Sequence, residues 1–499
     1  MDGRIGRREL LGAAALLGIS PALAKIAPKG FTGAEIEAQA KALAARPFVP
    51  SPPLPDSLKF NYDEYRMLRF HRREALWQPG PIIAEPMAPG GLFADPVAIN
   101  AVAAGAVKPF PFDPTQFDSP PGRTLPGEPG IGFSGVRFLA PINRPDVKDE
   151  FAVFQGASYF RAVARGTLYG LSARAIAIGT GGPKEEFPIF RAFWLEKPER
   201  GDTVRVHGLV DGPSLTGVWH FSIRTGAATV FDVEAVIFPR TNIDAVGLAP
   251  MSSMFMSGPA SARRFDDFRP AVHDSDGLEL WTGEGEQVWR PLTNPKQIEL
   301  SAFADTNPRG FGLMQRARDF SDYRDAEAHY EQRPSLWVEP VGKWGPGSVE
   351  LLELPTDNET TDNIVLFWRP AKPLAAGRVY RTAYRLHWTT DSPAPKALSR
   401  VTDTRTGASF AGHSPDGSRA FAVDFEGSRI VGELDSITAD AATSRGTLRP
   451  VTLSRLPSSG DVRANLALTV QGSEPADVRL TLRRDGRALS ETFVTRWRA

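Results

Sequence analysis

The sequence predicts a mainly β protein built from β-sandwiches, and three observations carry that expectation. Glycine (46) and proline (44) are abundant and punctuate short apolar runs. Val204 and Val206, then Trp219, Phe221 and Ile223, then Phe231, Val233, Ala235 and Ile237 recur with a period of two, as half-buried strands require. DGPSLTG and TGAAT separate these runs and read as the turns of an antiparallel meander. Nothing in the chain alternates as βαβ units do, and no glycine-rich phosphate loop follows a strand.

In chain order, Arg7-Arg8 precede an apolar run from Leu10 to Ile19 and then Pro21-Ala22-Leu23-Ala24. This has the form of an export signal, residues 1–24, cleaved after Ala24; the paired arginines resemble a twin-arginine signal. Thr32 to Glu35 reads as a capping box opening a helix that stops at Arg46-Pro47. Prolines 50, 52, 53 and 55 suggest an extended connection. In the segment Phe60 to Trp77, Tyr65, Arg66 and Arg69 are candidates for a polar cleft, against the plainer reading of an amphipathic edge. Between Phe151 and Ala175, Tyr159, Arg161, Tyr169 and Arg174 stand among Gly156, Gly166 and Gly170, a pattern that suits close approach of a ligand. Asp319 to Gln332 reads as a helix, with Tyr323 and Tyr330 on one face. TTDNIVLFWRP places Asp362 at the mouth of a continuous apolar strand. A linker is expected at Thr389 to Lys396, followed by strands at Phe421–Phe425 and Val478–Leu482 and a hairpin turn at Asp485-Gly486.

The 499 residues suffice for two or three domains. Lys+Arg and Asp+Glu stand at 58 each, so no basic surplus points to nucleic acid. The absence of cysteine excludes disulfides and thiolate chemistry. The seven histidines show no metal-binding spacing, so neither metal nor cofactor is expected. No run after the signal reaches 18 apolar residues, so the mature chain is expected to lack a membrane span.

The stretch from Arg269 to Pro295 is densest in chemistry. It sets Asp274, Asp276, Glu284 and Glu286 between Trp281 and Trp289. Indole faces stack on sugar rings, and carboxylates bind hydroxyls or move protons, so the stretch suits a sugar cleft. Loops with two acids and a tryptophan are also common on surfaces that catalyse nothing.

YDEYRMLRF, GASYFRA, YGLSARA, EEFPIFRAFW, HDSDGL, WRPLTNP, PRGFGL, RPSLWVEP, KWGPGSVELLELP and TDNIVLFW stand in this order along the chain. Together they resemble the osmoregulated periplasmic glucan biosynthesis protein G/D family, strongly over residues 30–390 and weakly beyond. The resemblance implies a galactose-mutarotase-like β-sandwich over 25–390 and an immunoglobulin-like sandwich over 391–499. It implies a periplasmic enzyme acting on β-1,2-glucan by anomer-inverting endo-hydrolysis, with glucan transfer as the alternative; a homodimer is among the assemblies it allows. It puts the general acid on Asp362 and the general base on Asp274, with Ser275, Tyr330 and Arg333 near the proton path. It puts sugar contacts or walls at Trp337, Glu339, Trp344 and Trp368. Asp276 is the alternative base, or else a brace for the Asp274 loop. The segment Phe410 to Arg419 is short beside related hydrolases, which bears on hydrolysis against transfer. From a different class, a glucan-binding or assembly factor would use the same groove without chemistry.

Overall fold

Alternation along the strands divides the chain into two large sheets that pack face to face. In this computed structural model residues 30–498 are described, apart from 129, 200–202, 262–264 and 412–413, so the expected export signal lies outside the described residues. The predicted meander is Thr203–Asp211, Leu215–Arg224 and Thr229–Pro239, paired antiparallel in sequence order. It forms the middle of the larger sheet. The smaller sheet places Ile83–Met87, Gly135–Ala140, Asp149–Gln155, Tyr159–Ala162, Ser172–Arg174, Val246–Ser253 and Ile364–Pro370 side by side. One face of each sheet supplies the core. Phe154 and Phe160 of the smaller sheet meet Phe221 and Phe231 of the larger, with ring centroids 5.1–6.1 Å apart. Offset and edge-on aromatic pairs of this kind stabilise beyond the area they bury.

The outer face of the meander is not open. Helix Ala34–Ala44 lies over it, with Ile36 and Ala40 buried against Leu209, Val218 and Val236. Gly33, in the left-handed region, occupies the N-cap position expected of Thr32, whose hydroxyl lies 3.4 Å from Glu35.

The expected helix over Asp319 to Gln332 does not form. One turn, Phe320–Tyr323, ends at Arg324, and a second, Tyr330–Gln332, starts after His329. Arg324 (φ 56°) and His329 (φ 47°) are both left-handed. The Asp325 carboxylate accepts the Glu327 and Ala328 N–H groups and offers the backbone a local alternative to helix. Tyr323 and Tyr330 still meet, 5.9 Å apart, through the loop instead of a helix face.

Residues after 391 form a second two-sheet sandwich. Val401–Ala411, Ser414–Phe425 and Val462–Thr469 face Thr438–Thr443, Ala476–Arg484 and Thr492–Trp497 across Val423, Phe425, Val462, Leu480 and Phe493. Asp485 and Gly486 make the expected hairpin turn, both with positive φ. The two sandwiches share a sheet: Thr492–Trp497 pairs in parallel with Gln287–Pro291, Trp289 opposite Phe493.

A buried ion pair also locks the two large sheets together. Arg290 on one reaches Glu353 on the other through bonds of 2.8 and 2.6 Å, and Thr293 donates twice more to Glu353. Neither side chain is more than 1% exposed. Removing one partner of such a pair strands the other charge, so Glu353→Ala should lower unfolding stability by about 3–5 kcal/mol. Urea denaturation followed by tryptophan fluorescence measures this.

Candidate active site

The site is assembled on the outer face of the smaller sheet, where three loops fold over it. Phe255–Ser257 pairs with Val272–His273, Phe255 opposite His273. The Asp274 N–H extends this contact to Met254 O at 2.9 Å. Asn363 holds the other side of the same segment. Its Oδ1 accepts from Phe255 N–H at 2.8 Å, and its Nδ2 donates to Phe255 O at 3.0 Å and Leu354 O at 2.9 Å. Asp362 directly precedes Asn363. Asp274 and the neighbour of Asp362, 88 positions on, are therefore tied to the consecutive residues Met254 and Phe255.

Their electrostatics are coupled. Asp274 is buried, and its Oδ1 lies 3.5 Å from Arg333 Nη1 without a hydrogen bond to any described residue. Burial pushes its pKa up to about 6; Arg333 and Arg161 hold it down, while the Asp362 charge adds to the rise. Asp362 is exposed to solvent, although protein atoms crowd its carboxyl. That crowding raises its pKa, against the pull of Arg161 and Arg174. Arg161 thus acts on both carboxyls, and its Nε is fixed by a 2.6 Å bond to Ser172 Oγ.

Tyr159 and Arg161 lie on one face of Tyr159–Ala162, with Arg174 across from Tyr159. The Arg174 guanidinium lies over the Tyr159 ring at 5.2 Å and over Phe187 at 5.5 Å. Phe187 is 51% exposed, an apolar surface of the type sugar rings stack on. Tyr330 is buried, with its ring 5.2 Å from the Arg333 guanidinium. Its hydroxyl donates to Glu359 at 2.9 Å. Burial, Glu359 and Asp274 all raise its pKa, so it stays a proton donor. Arg333 also donates to the carbonyls of Tyr169 and Ala328, which pins the loop that carries it. Ser275 is fully buried, its hydroxyl 2.9 Å from that of Ser253. It supports the Asp274 loop from beneath.

Asp276 accepts the backbone N–H groups of Arg316 and Ala317 at 2.9 and 3.0 Å, as a brace does. Burial nonetheless lifts its pKa to about 6.

Four residues expected near sugar lie elsewhere. Trp337 is 1% exposed and packs with Trp289 and Met314 in the core shared with the second sandwich. Trp368 is fully buried. Neither offers an open ring face. Glu339 is held by Arg385 and His387 at 3.3 and 3.0 Å on the larger sheet. Trp344 donates to Ala383 O and borders a separate cavity of about 550 Å³ whose lining includes neither acid. Trp289 and Glu286 of the Arg269–Pro295 stretch are also engaged elsewhere. Arg316 sits 3.6 Å over the Trp289 ring, and Glu286 binds Arg479 of the second sandwich. Glu359, Phe187 and Asn363 were not singled out from sequence. Asn363 left one signal, a poor strand former opening an apolar strand.

The family described as "Periplasmic glucan biosynthesis protein, MdoG" matches residues 31–497. Glucans biosynthesis protein G of Bradyrhizobium diazoefficiens is 43% identical over 474 residues, 94% of this chain and 93% of its own length. The protein of that name from Rhodopseudomonas palustris strain BisA53 is 42% identical over 99% of this chain and all of its own length. That from Vibrio cholerae strain O395 is 45% identical over 92% of this chain and 85% of its own. With the match running through both sandwiches, the chain belongs to the MdoG family of periplasmic glucan biosynthesis proteins.

Proposed function

We propose that this protein, within periplasmic glucan metabolism, cleaves β-1,2-linked glucan internally with inversion at the anomeric carbon. The reading assigns the reaction to residues 25–390, with 391–499 as a supporting immunoglobulin-like sandwich. It also takes residues 1–24 as a twin-arginine export signal. The observation that carries the reading is the coupling of Asp274 and Asp362 across one short strand, with Arg161 facing both.

The roles follow from surroundings. Asp362 is open to solvent, where a polymer can reach it, and its raised pKa favours a carboxylic acid that protonates the leaving oxygen. Asp274 lies deeper, beside Arg333, which favours its anion. It accepts the proton of a water attacking from the opposite side, and its depth makes contact through water the natural arrangement. Inversion requires carboxyls about 6.5–9.5 Å apart, to leave room for that water. Exposed Phe187, together with Tyr159, offers the apolar face on which a sugar ring rests.

Incubation with linear β-1,2-glucan tests the reading. Shorter chains, appearing first as the α-anomer by NMR, are expected. New linkages or rings would mean transfer, and bound but unchanged glucan would mean a binding factor. Asp362→Asn and Asp274→Asn should each lower kcat about 10²–10⁴-fold while glucan binding persists. An unaltered Asp362→Asn rate overturns the acid assignment.

The pH profile has a definite sign. The rate rises with pH as Asp274 loses its proton near about 6. Arg333 lowers the Asp274 pKa, so Arg333→Gln should move the acidic limb to higher pH.

Asn363→Ala removes three side-chain hydrogen bonds of roughly 1 kcal/mol each. Both acids should lose register, lowering kcat about 10²-fold with little change in KM. A loss confined to KM would contradict a positioning role.

A further inference from the structure

A second polar cavity, of about 430 Å³, opens near the far edge of the smaller sheet; Arg66, Arg69, Arg72, Glu85 and Arg137 line it. Glu85 is 1% exposed and takes Arg72 Nε at 3.1 Å and Arg137 at 3.0 and 2.7 Å. Arg137 also binds Glu150 at 3.2 Å. Arg66 lies over the Tyr62 ring, and Arg69 pairs through its backbone with Asp118. Among the described residues, neither the Arg66 nor the Arg69 guanidinium has a carboxylate partner. Four guanidiniums therefore stand against two carboxylates even with Glu150 counted, and the surplus faces a solvent-open cavity.

The cavity is continuous with the catalytic face. Residues opposite one another in neighbouring strands project to the same side. Glu85 pairs with Arg137, Arg137 with Val153, and Val153 with Arg161. Arg161 bonds Ser172, which pairs with Ser252. One row thus runs across the outer face from the arginine cavity to the side chain that faces both acids. With strands about 4.8 Å apart, Arg137 and Arg161 are separated by roughly 10 Å, the reach of a short oligosaccharide. Between them Tyr169 donates to Glu150 at 2.9 Å and senses the charge of both arginines.

We propose that the Arg66–Arg69–Arg72–Arg137 cavity is an anion subsite of the glucan groove, taking a phosphoryl or carboxylate group borne on the saccharide. Guanidinium forks match both groups in charge and in planar or tetrahedral oxygen geometry. Continuity with the Arg161 row favours a group attached to the polymer over a free anion. The inference rests on the glucan-active reading of the groove.

Calorimetric titration of the Asp362→Asn protein, in which the chain is not consumed, tests it with two probes. One is a linear β-1,2-glucan oligosaccharide, and the other is the same chain phosphorylated on primary hydroxyls. The phosphorylated chain should bind about tenfold tighter, a margin that shrinks with added salt. Arg66→Gln/Arg69→Gln should erase the charged-to-neutral ratio, and Arg66→Lys/Arg69→Lys should keep part of it. Equal affinities for the two chains, or a ratio that survives the double glutamine variant, overturns the subsite alone. Saturation by micromolar inorganic phosphate with no preference between the chains also overturns it, in favour of a free-anion site. Failure to bind either chain removes the glucan reading itself, a result distinct from the others.

Discussion

A single amide holds the candidate active site together. Asn363 spends both ends of its side chain on the backbone of Phe255 and Leu354. Asp274 hangs from the residue before Phe255, and Asp362 is the residue before Asn363. A buried Asn whose oxygen and nitrogen are both engaged has one orientation, so the backbone that carries each acid is fixed relative to the other. Asn294 repeats the device one turn away, joining Met256 to Thr356 on the same two segments. Loops that look independent in sequence are in this way held as one rigid frame.

On that frame, charge differentiates two chemically identical side chains. Burial lifts the Asp274 pKa to about 6 while the nearby Arg333 pulls toward its anion, whereas Asp362 stands more exposed, with Arg161 and Arg174 on the strands below it. The Asp362 charge adds to the rise of the Asp274 pKa. The outer face supplies these arginines because the inner face is wholly committed to aromatic packing. Strand alternation leaves polar residues no other side to occupy.

The fold class was readable because its signal is local. Period-two runs and Gly-rich turns specify strands wherever they lie, and the meander and the Asp485-Gly486 turn emerged as the pattern demanded. The Asp319–Gln332 helix failed because side-chain bonds from Asp325, invisible in a helical-period count, outcompeted it. Tryptophans misled for another reason. Trp289, Trp337 and Trp368 sit in motifs rich in acids, but composition does not say which side of a sheet a residue faces, and all three are buried. Phe187, a plain phenylalanine between acids and proline, is the ring that stands open. That the Asp362 charge reaches Asp274 depends on contacts across 88 positions, which local pattern does not encode.

The shared sheet has a consequence for how the molecule is made. Strand Gln287–Pro291 is flanked on one side by Gly277–Trp281 and on the other by a strand about 200 residues further along. Until Thr492–Trp497 is in place, that ladder keeps a raw border with unsatisfied amides and an uncovered indole at Trp289. Completion of the larger sheet is thus gated by arrival of strand Thr492–Trp497.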